Sequence, residues 1–562
     1  MSGYPPALIK KFAIRHEDNV KAMEGFTFAT LAIGGVFVLL HLSKSAYHVF
    51  RRWQGGSRGS ALLSSPMRMI RQCSIYSVPF FPSAGHALII VTYIALNFVF
   101  LFAFLDNNNF GFITNIASRT GWLALANMIF SVFLALKNTP LAFLTAWSYE
   151  RLNILHRYSG MFAVLHMIIH AITYSAYFAG QGQPEMLTMK SSIYGILAGA
   201  SFFLLGVSGV VLRPWWYELF YYVHIVFFAL AIIMTGLHQP SFVDGFLIIT
   251  VLTGSMWVLD RLIRFVRLVS YSFNNHVTLT PLPHGGTRVT LAKAPLGALS
   301  GKHCFLWIPA IRSFETHPFT ISAMNPLEFV VTAHNGFTKD LHNLAVEQPG
   351  VEFGASVEGS YGTFPKPSSF DHVVLIAGGT GASFTFGAAF NALKHLNGRQ
   401  KTKIMFVWTV RHRSILSWYA SHLQTLCNDS RVSVHVFVTK DRDPSGLSMP
   451  NSAARHHIFP RTHENSRLDM SSASSMSGDA EKNIGGVVNE DVEIFSGIPI
   501  TWKRPDVPGM IRGVVSGAAR EESVLVMGCG PGKLMKQVRN TTAACIWSDG
   551  PTVELHCEEF GW

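Results

Sequence analysis

Charge is what this chain has least of. Asp, Glu, Lys and Arg make up 14% of its 562 residues, against roughly 25% in soluble proteins, so one solvated globular domain does not describe it. Cysteine is thin too: six residues, Cys73, Cys304, Cys427, Cys529, Cys545 and Cys557, show neither a disulfide framework nor zinc-ligand spacing. No Ala-x-Ala-like cleavage signal accompanies the first apolar run, which therefore reads as an anchor rather than a removable leader. The net charge is +12, but no nucleic-acid recognition motif goes with it, and no nucleic-acid partner is expected. Asn-x-Ser/Thr matches at Asn428 and Asn540 fall in the half assigned below to the cytosol and are discounted as glycan sites.

What is abundant is hydrocarbon. Hydrophobic residues make up 49% of the chain, mean hydropathy is +0.28, and the excess lies in the first half. Runs of membrane-spanning length occur at Gly25–Leu42, Ala87–Leu105, Gly121–Leu136, Ile154–Tyr177, Tyr194–Leu212, Glu218–His238 and Phe242–Leu259, which predicts an integral membrane protein with about seven helices. Basic residues set the orientation. Arg51, Arg52, Arg58, Arg68 and Arg71 follow the first span; Lys137, Arg151 and Arg157 separate the third from the fourth. Arg213 follows the fifth, and Arg261, Arg264 and Arg267 the seventh. The opposite loops hold little beyond Arg119 and Lys190. This places the N-terminus outside and the C-terminal half in the cytosol, with the basic tail (Lys10, Lys11, Arg15, Lys21) the one discordant feature.

Two apolar segments each carry two histidines fourteen residues apart: His156 and His170, then His224 and His238. Fourteen residues is nearly four helical turns, so both members of a pair share a face, roughly 21 Å apart along the axis. Imidazole is costly in hydrocarbon without a partner, which marks intramembrane histidines as functional candidates. A single one, such as His41 or His166, reads more simply as an interior hydrogen-bonding residue. Two side-by-side helices repeating one spacing predict two stacked bis-histidine sites, and haem is the economical ligand.

Beyond Arg267 the pattern changes to short alternating stretches separated by Pro and Gly, predicting an antiparallel β-barrel over 271–367. Strand–glycine loop–helix units follow over 368–562, predicting an α/β domain with a parallel sheet, interrupted by a Ser-, Asn- and Gly-containing insertion at 441–490. His317-Pro318-Phe319-Thr320-Ile321-Ser322 follows a barrel strand; Thr320, Ser322 and backbone amides could serve a flavin's ribityl and pyrophosphate groups and Phe319 its ring, or the string is a tight turn. Gly336-Phe337-Thr338 could add amides. Gly378-Gly379-Thr380-Gly381-Ala382 and Gly528-Cys529-Gly530-Pro531-Gly532 each join a strand to a helix, where a phosphate can meet backbone amides and a helix N-terminus. Either alone could be any turn; two in one sheet predict a dinucleotide crevice. Arg411 and Arg413 follow a strand where a cation could meet the 2′-phosphate of NADPH, or they are solvated.

The chain resembles the ferric reductase and NADPH oxidase superfamily, and most closely the fungal plasma-membrane metalloreductases. The likeness runs from about Ala87 to the end through LNILHRYSG, the second His-x13-His, HPFTIS, AGGTGAS, MGCGPG and the final EEFGW. It implies a six-helix haem-binding unit over 81–270, with residues 1–80 adding a tail, an extra helix and a basic loop. It also implies two b-type haems, FAD on HPFTIS and NADPH on the Gly378 and Gly528 loops. By the same resemblance His156 pairs with His224 near the cytosol and His170 with His238 near the outer face. Cys529 lies near the nicotinamide, and Phe560 or Trp562 near the flavin ring. The implied activity is NADPH-dependent reduction of external Fe(III) chelates, or Cu(II), at the plasma membrane, alongside an iron permease/oxidase system. The oxidase branch would make superoxide instead, and a catalytically silent scaffold would need no nucleotide loops. Two departures stand out. Met161 replaces an Arg often found after the HRYSG glycine, leaving Arg157 as the substitute partner for a haem propionate, and there is no long external N-terminal region. Glu185, Met186 and Met189 in a predicted outer loop could touch metal, although a solvated loop is the simpler reading.

Overall fold

The computed structural model describes residues 6–53, 61–145, 149–239, 244–396, 402–440, 492–495, 497–546 and 550–559. The predicted insertion at 441–490, Phe560 and Trp562 lie outside the described residues. Among the described residues, seven helices are long and apolar enough to cross a membrane: α1 (Pro6–Trp53), α3 (Ala84–Phe102), α4 (Phe112–Ala135), α6 (Tyr149–Gly180), α7 (Lys190–Val207) with its continuation, α9 (Tyr217–His238) and α10 (Asp244–Ser270). Helical spans satisfy every backbone polar group internally, which hydrocarbon demands. Shorter helices α2 (Ala61–Ile75), α5 (Pro140–Thr145) and α8 (Arg213–Trp215) lie between them. Between α7 and α8 a π-helical turn covers Ser208–Leu212, where Gly206, Gly209 and Pro214 weaken the regular ladder.

The bundle departs from the sequence reading at its start. Residues ahead of Gly25 are not a loose tail: α1 begins at Pro6, and Asn19, Ala22, Met23 and Phe26 are buried. Arg119, expected in a loop, is fully buried inside α4. Its guanidinium donates to Asn19 Oδ1 (2.7 Å), the Phe100 carbonyl (2.7 Å) and the carbonyls of Asp18 and Phe104 (3.2 Å each). A buried charge is tolerated only when its donors are met, and here they tie α1 to α3 and α4. The discordant basic tail is thus a structural helix with a packing role.

Two sheets follow. The first, antiparallel in all its pairings, takes β1 (His276–Leu282), β2 (Gly286–Leu291), β3 (His303–Trp307), β4 (His317–Ala323), β5 (Leu327–Thr332), β6 (Glu352–Gly354) and β7 (Ser356–Tyr361) in the order β6-β1-β2-β5-β4-β3-β7. Its inward residues (Val277, Leu279, Val289, Leu306, Ile321 and Phe329 among them) form one core that α11 (Phe337–Glu347) closes with Phe337 and Leu341. The second sheet takes β8 (His372–Gly378), β9 (Lys403–Val410), β10 (Val432–Val438), β11 (Val492–Phe495), β12 (Ile498–Thr501), β13 (Ser523–Cys529) and β14 (Thr552–Glu558) in the order β11-β12-β10-β9-β8-β13-β14. It is parallel except for the β11–β12 hairpin. Helices α12 (Ala382–His395), α13 (Ala420–Cys427), α14 (Val507–Gly517) and α15 (Gly532–Ala544) accompany it. Its central strands β8 and β13 are buried on both faces and feed two separate cores, as a sheet covered on both sides requires.

The basic loops share a side with these sheets. Arg71 on α2 approaches Glu554 (3.6 Å), Lys137 lies 3.5 Å over the Phe305 ring, and Arg264 at the end of α10 pairs with buried Glu358 (3.1 Å).

Candidate functional site

Each candidate histidine is aimed by its Nδ1. His170 Nδ1 lies 2.7 Å from the Ala117 carbonyl and His238 Nδ1 2.7 Å from the Ser191 carbonyl. His156 Nδ1 lies 2.9 Å from both the carbonyl and the hydroxyl oxygen of Ser131. His224 Nδ1 lies 3.3 Å from the Ser208 hydroxyl, which itself donates to the Leu205 carbonyl (2.8 Å). Carbonyl oxygens only accept, so at these rings Nδ1 carries the proton and Nε2 keeps its lone pair. That is the orientation in which outer-sphere partners hold metal-ligating imidazoles.

The rings pair across helices as the spacing predicts. His156 and His224 have centroids 6.4 Å apart at 72°, and His170 and His238 have centroids 6.2 Å apart at 82°. Two imidazole nitrogens ligating one metal at about 2.0–2.1 Å each put their ring centroids roughly 6 Å apart, so both pairs fit a haem iron. The outer rings also press on glycines. A Cβ at Gly121 would lie 2.8 Å from His170 Nδ1, and one at Gly195 2.5 Å from His238 Cε1. His166, read as an interior residue, is buried with Nε2 3.2 Å from Asn97 Oδ1.

A cavity of about 810 Å³ opens beside the inner pair, lined by His156, Arg157, Met161, Arg213, His224 and Arg264 and, at its far end, by Thr316, His317 and Pro318 of β4. Arg157 and Arg213 thus both reach this cavity beside His156 and His224. Met161 lines the same wall.

On β4, His317 to Thr320 are half-buried, while Ile321 and Ser322 are fully buried. This corrects two expectations. Ile321 packs in the barrel core, and the Ser322 hydroxyl donates to the carbonyl (3.0 Å) and carboxylate (3.1 Å) of Glu328, so neither faces the open side. Simple alternation would not bury two successive residues; they fall where the β4–β5 register shifts between Ile321 and Ala323, an irregularity that re-aims side chains. The His317 ring stacks on Phe337 (4.1 Å, 16°), and its Nε2 meets Glu315 (3.2 Å). Burial pushes this imidazole down against the pull of Glu315. Gly336, at φ +72°, caps α11, a turn that favours glycine. Phe337 is buried, Thr338 accepts from the His334 amide (2.8 Å), and the Glu218 carboxylate lies against Gly336 at the α11 N-terminus.

The two glycine loops meet. Gly378 ends β8 and Gly379–Gly381 makes one tight turn, with Gly379 at φ +57° and its carbonyl held by Trp408 Nε1 (3.0 Å); Ala382 opens α12. A Cβ at Gly381 would collide with the Cys529 carbonyl; one at Gly378 would lie 2.7 Å from Pro531, and one at Gly530 3.0 Å from the Gly378 nitrogen. Thr380 and Gly528 sit in the same two turns, at the carboxyl ends of adjacent strands β8 and β13. Cys529 is fully buried, and burial, reinforced by Glu558 and Cys557, pushes its thiol well up, which keeps it neutral. Arg411 is exposed just past β9. Glu185 and Met189 are exposed in or beside a short helical turn.

Sequence reasoning missed Ser131, Ala117, Ser191, Ser208, Gly121 and Gly195. Main-chain carbonyls leave no trace in a sequence, whereas a glycine inside an apolar helix is a readable hint of close approach. It also missed Glu218, which with Glu315 and His317 forms a tight group between α9 and the barrel.

Family comparisons agree with this order of parts. A "Ferric reductase like transmembrane component" model matches residues 120–235, an "FAD-binding domain" model 275–378, and a "Ferric reductase NAD binding domain" model 370–543. The chain is 27% identical over 401 residues to the probable cell surface ferric reductase kap2 of Aspergillus oryzae, covering 64% of this chain and 52% of that protein. It is 25% identical to the ferric/cupric reductase transmembrane component 2 of Schizosaccharomyces pombe (58% of this chain, 66% of that one). The Saccharomyces cerevisiae protein of the same name is 23% identical (86% and 67%). The chain thus spans about half to two thirds of these relatives' lengths.

Proposed function

We propose, from the premise that this chain belongs to the ferric reductase transmembrane component family, that it carries electrons from NADPH in the cytosol to Fe(III) chelates, or Cu(II), outside. The observation that carries this reading is the cavity joining the inner histidine pair to the start of the flavin-type strand. It supplies an electron route from the sheets into the membrane. When bound, FAD splits the hydride's electron pair into single electrons, and two haems divide a distance too long for one transfer. His156 with His224 and His170 with His238 would hold the haems, and filling both axial positions suits electron carriage rather than oxygen binding. Arg157 and Arg213 neutralise acid groups at the inner level. His317 to Thr320 and the α11 amides would hold FAD; the loops at Gly378 and Gly528, with Arg411, would hold NADPH. The neutral Cys529 thiol would flank the nicotinamide. The balance is one NADPH and two Fe(III) giving NADP⁺, one proton and two Fe(II).

The basic-residue bias favours sheets in the cytosol and the His170–His238 pair near the outside of the plasma membrane. There Fe(II) would pass to an iron permease/oxidase system. The test is Fe(II) production by membranes holding the protein, given NADPH and a ferric chelate, with and without superoxide dismutase. Dismutase-insensitive reduction is expected. Loss of the signal with dismutase makes superoxide the carrier and the protein an oxidase.

A further inference from the structure

One face of β14 is polar and buried, which an edge strand of an apolar sheet has no reason to be. Residues 554, 556 and 558 alternate onto it, and Glu554 and His556 are each 2% exposed. Burying such groups is costly unless they are paired, and their partners come from the membrane half. Arg71 on α2 faces Glu554 (3.6 Å), and Arg151 Nη2 lies 3.0 Å from His556 Nδ1. His556 Nε2 meets Glu558 Oε1 at 2.7 Å. Two more bonds flank the seam: Arg68 donates to the Gly550 carbonyl (2.8 Å), and the Ser77 amide donates to Asn540 Oδ1 (3.0 Å).

The direction of these bonds is determined. A guanidinium only donates, so His556 Nδ1 accepts from Arg151 and Nε2–H donates to Glu558. Glu558 is the register neighbour of Cys529 across β13–β14. Arg151 lies five residues before His156 on α6, roughly 7.5 Å along the axis. Three groups thus link the helix that carries His156 and His170 to the loop assigned to the nicotinamide.

We propose that Arg151, acting through His556 and Glu558, is a positioning residue that docks the nucleotide-binding sheet on α6 so that electrons pass from the flavin side to the inner histidine pair. The proposal rests on the reading under Proposed function. A polar seam suits the task, because it fixes register and orientation by direction, which apolar packing does not.

The test uses the full-length protein with its cofactors and rapid mixing with NADPH, following flavin bleaching and haem absorbance separately. Arg151→Ala is expected to slow haem reduction at least tenfold, while flavin bleaching stays within twofold and haem content and reduction by dithionite are unchanged. Arg151→Lys, keeping a donor, recovers part of the rate. Arg71→Ala, at the other end of the seam, shows the same split at smaller size and carries the test if Arg151→Ala does not accumulate. Unchanged haem reduction in both alanine variants overturns the proposal; so does equal slowing of both phases, which makes the seam merely structural. Wild-type protein without NADPH-driven haem reduction would instead overturn the electron-transfer reading itself.

Discussion

The inner and outer histidine levels use the same two helices but are held by different chemistry. The outer rings bond main-chain carbonyls at 2.7 Å and press on Gly121 and Gly195. The inner rings add hydroxyls: His156 meets both the carbonyl and the hydroxyl of Ser131 at 2.9 Å, His224 meets the Ser208 hydroxyl at 3.3 Å, and a large cavity opens beside them. A helix carbonyl cannot turn without the helix, whereas a serine hydroxyl rotates. His224, which meets a hydroxyl, therefore has latitude that the carbonyl-bonded outer rings lack, and the inner level has an open side toward the sheets. That division suits the proposed route, in which the inner site receives electrons from the sheets and the outer site passes them on.

The largest effect that bears on this contrast is loss of a ligand. His170→Ala and His156→Ala should each lower the haem-to-protein ratio from two to one in a pyridine haemochrome assay. An unchanged ratio in either would remove that residue from the ligand set.

Glycine substitution separates the levels more sharply. Gly195→Ala puts a methyl 2.5 Å from the His238 ring, while at Gly160, beside the inner level, the nearest atom is Ser131 Oγ at 3.4 Å. Gly→Ala in a helix is favoured by up to about 1 kcal/mol on propensity, so any loss must come from the contact. Gly195→Ala should cut outer-haem occupancy by more than half, read as loss of one component in a spectroelectrochemical titration, and Gly160→Ala should keep both. Equal behaviour of the two variants would mean the outer level is no tighter than the inner.

Smaller again is Ser208→Ala. Removing an outer-sphere partner of a metal-ligating histidine typically costs about 10–100-fold in metal affinity. His224 loses its Ser208 hydroxyl partner, whereas Ser131→Ala leaves His156 the Ser131 carbonyl. Inner-haem retention on dilution should fall more for Ser208→Ala than for Ser131→Ala. The reverse order would show that the hydroxyl at Ser131 matters more than its carbonyl.

These contrasts also mark how far the sequence could be read. The His pairs were legible because helical period converts a spacing of fourteen into a shared face, and the glycine loops because strand–turn–helix junctions have their own composition. Ser322 misled because a motif written as consecutive letters does not show the register shift between Ile321 and Ala323, where two successive residues are buried. Arg119 misled because a basic residue near a span's end reads as loop when its carbonyl partners are unseen. The β14 seam was invisible for a third reason: Arg151 and His556 are 405 residues apart, and no local pattern joins them.

The barrel and the parallel sheet meet at a charged contact that offers the smallest test, one of rigidity outside the membrane. Glu328 lies 3.3 Å from His422 and 3.4 Å from Arg288, and accepts from Ser322. Burial pushes its carboxyl up, but the His422 bond and charge, with Arg288 and Ser322, outweigh that and hold it below the ordinary value of 4.5. A carboxyl with a depressed folded value stabilises above its unfolded value, and that stabilisation is lost as pH falls through the folded one. Glu328→Gln keeps the shape and removes the charge, so it should cost about 1–3 kcal/mol near neutral pH, seen as a lower melting temperature of the full-length protein. The gap should close as the pH falls through the depressed folded value, where the wild-type carboxyl is itself protonated. A gap that stays constant with pH would mean the lost contact is steric, and the barrel–sheet junction would owe nothing to this charge.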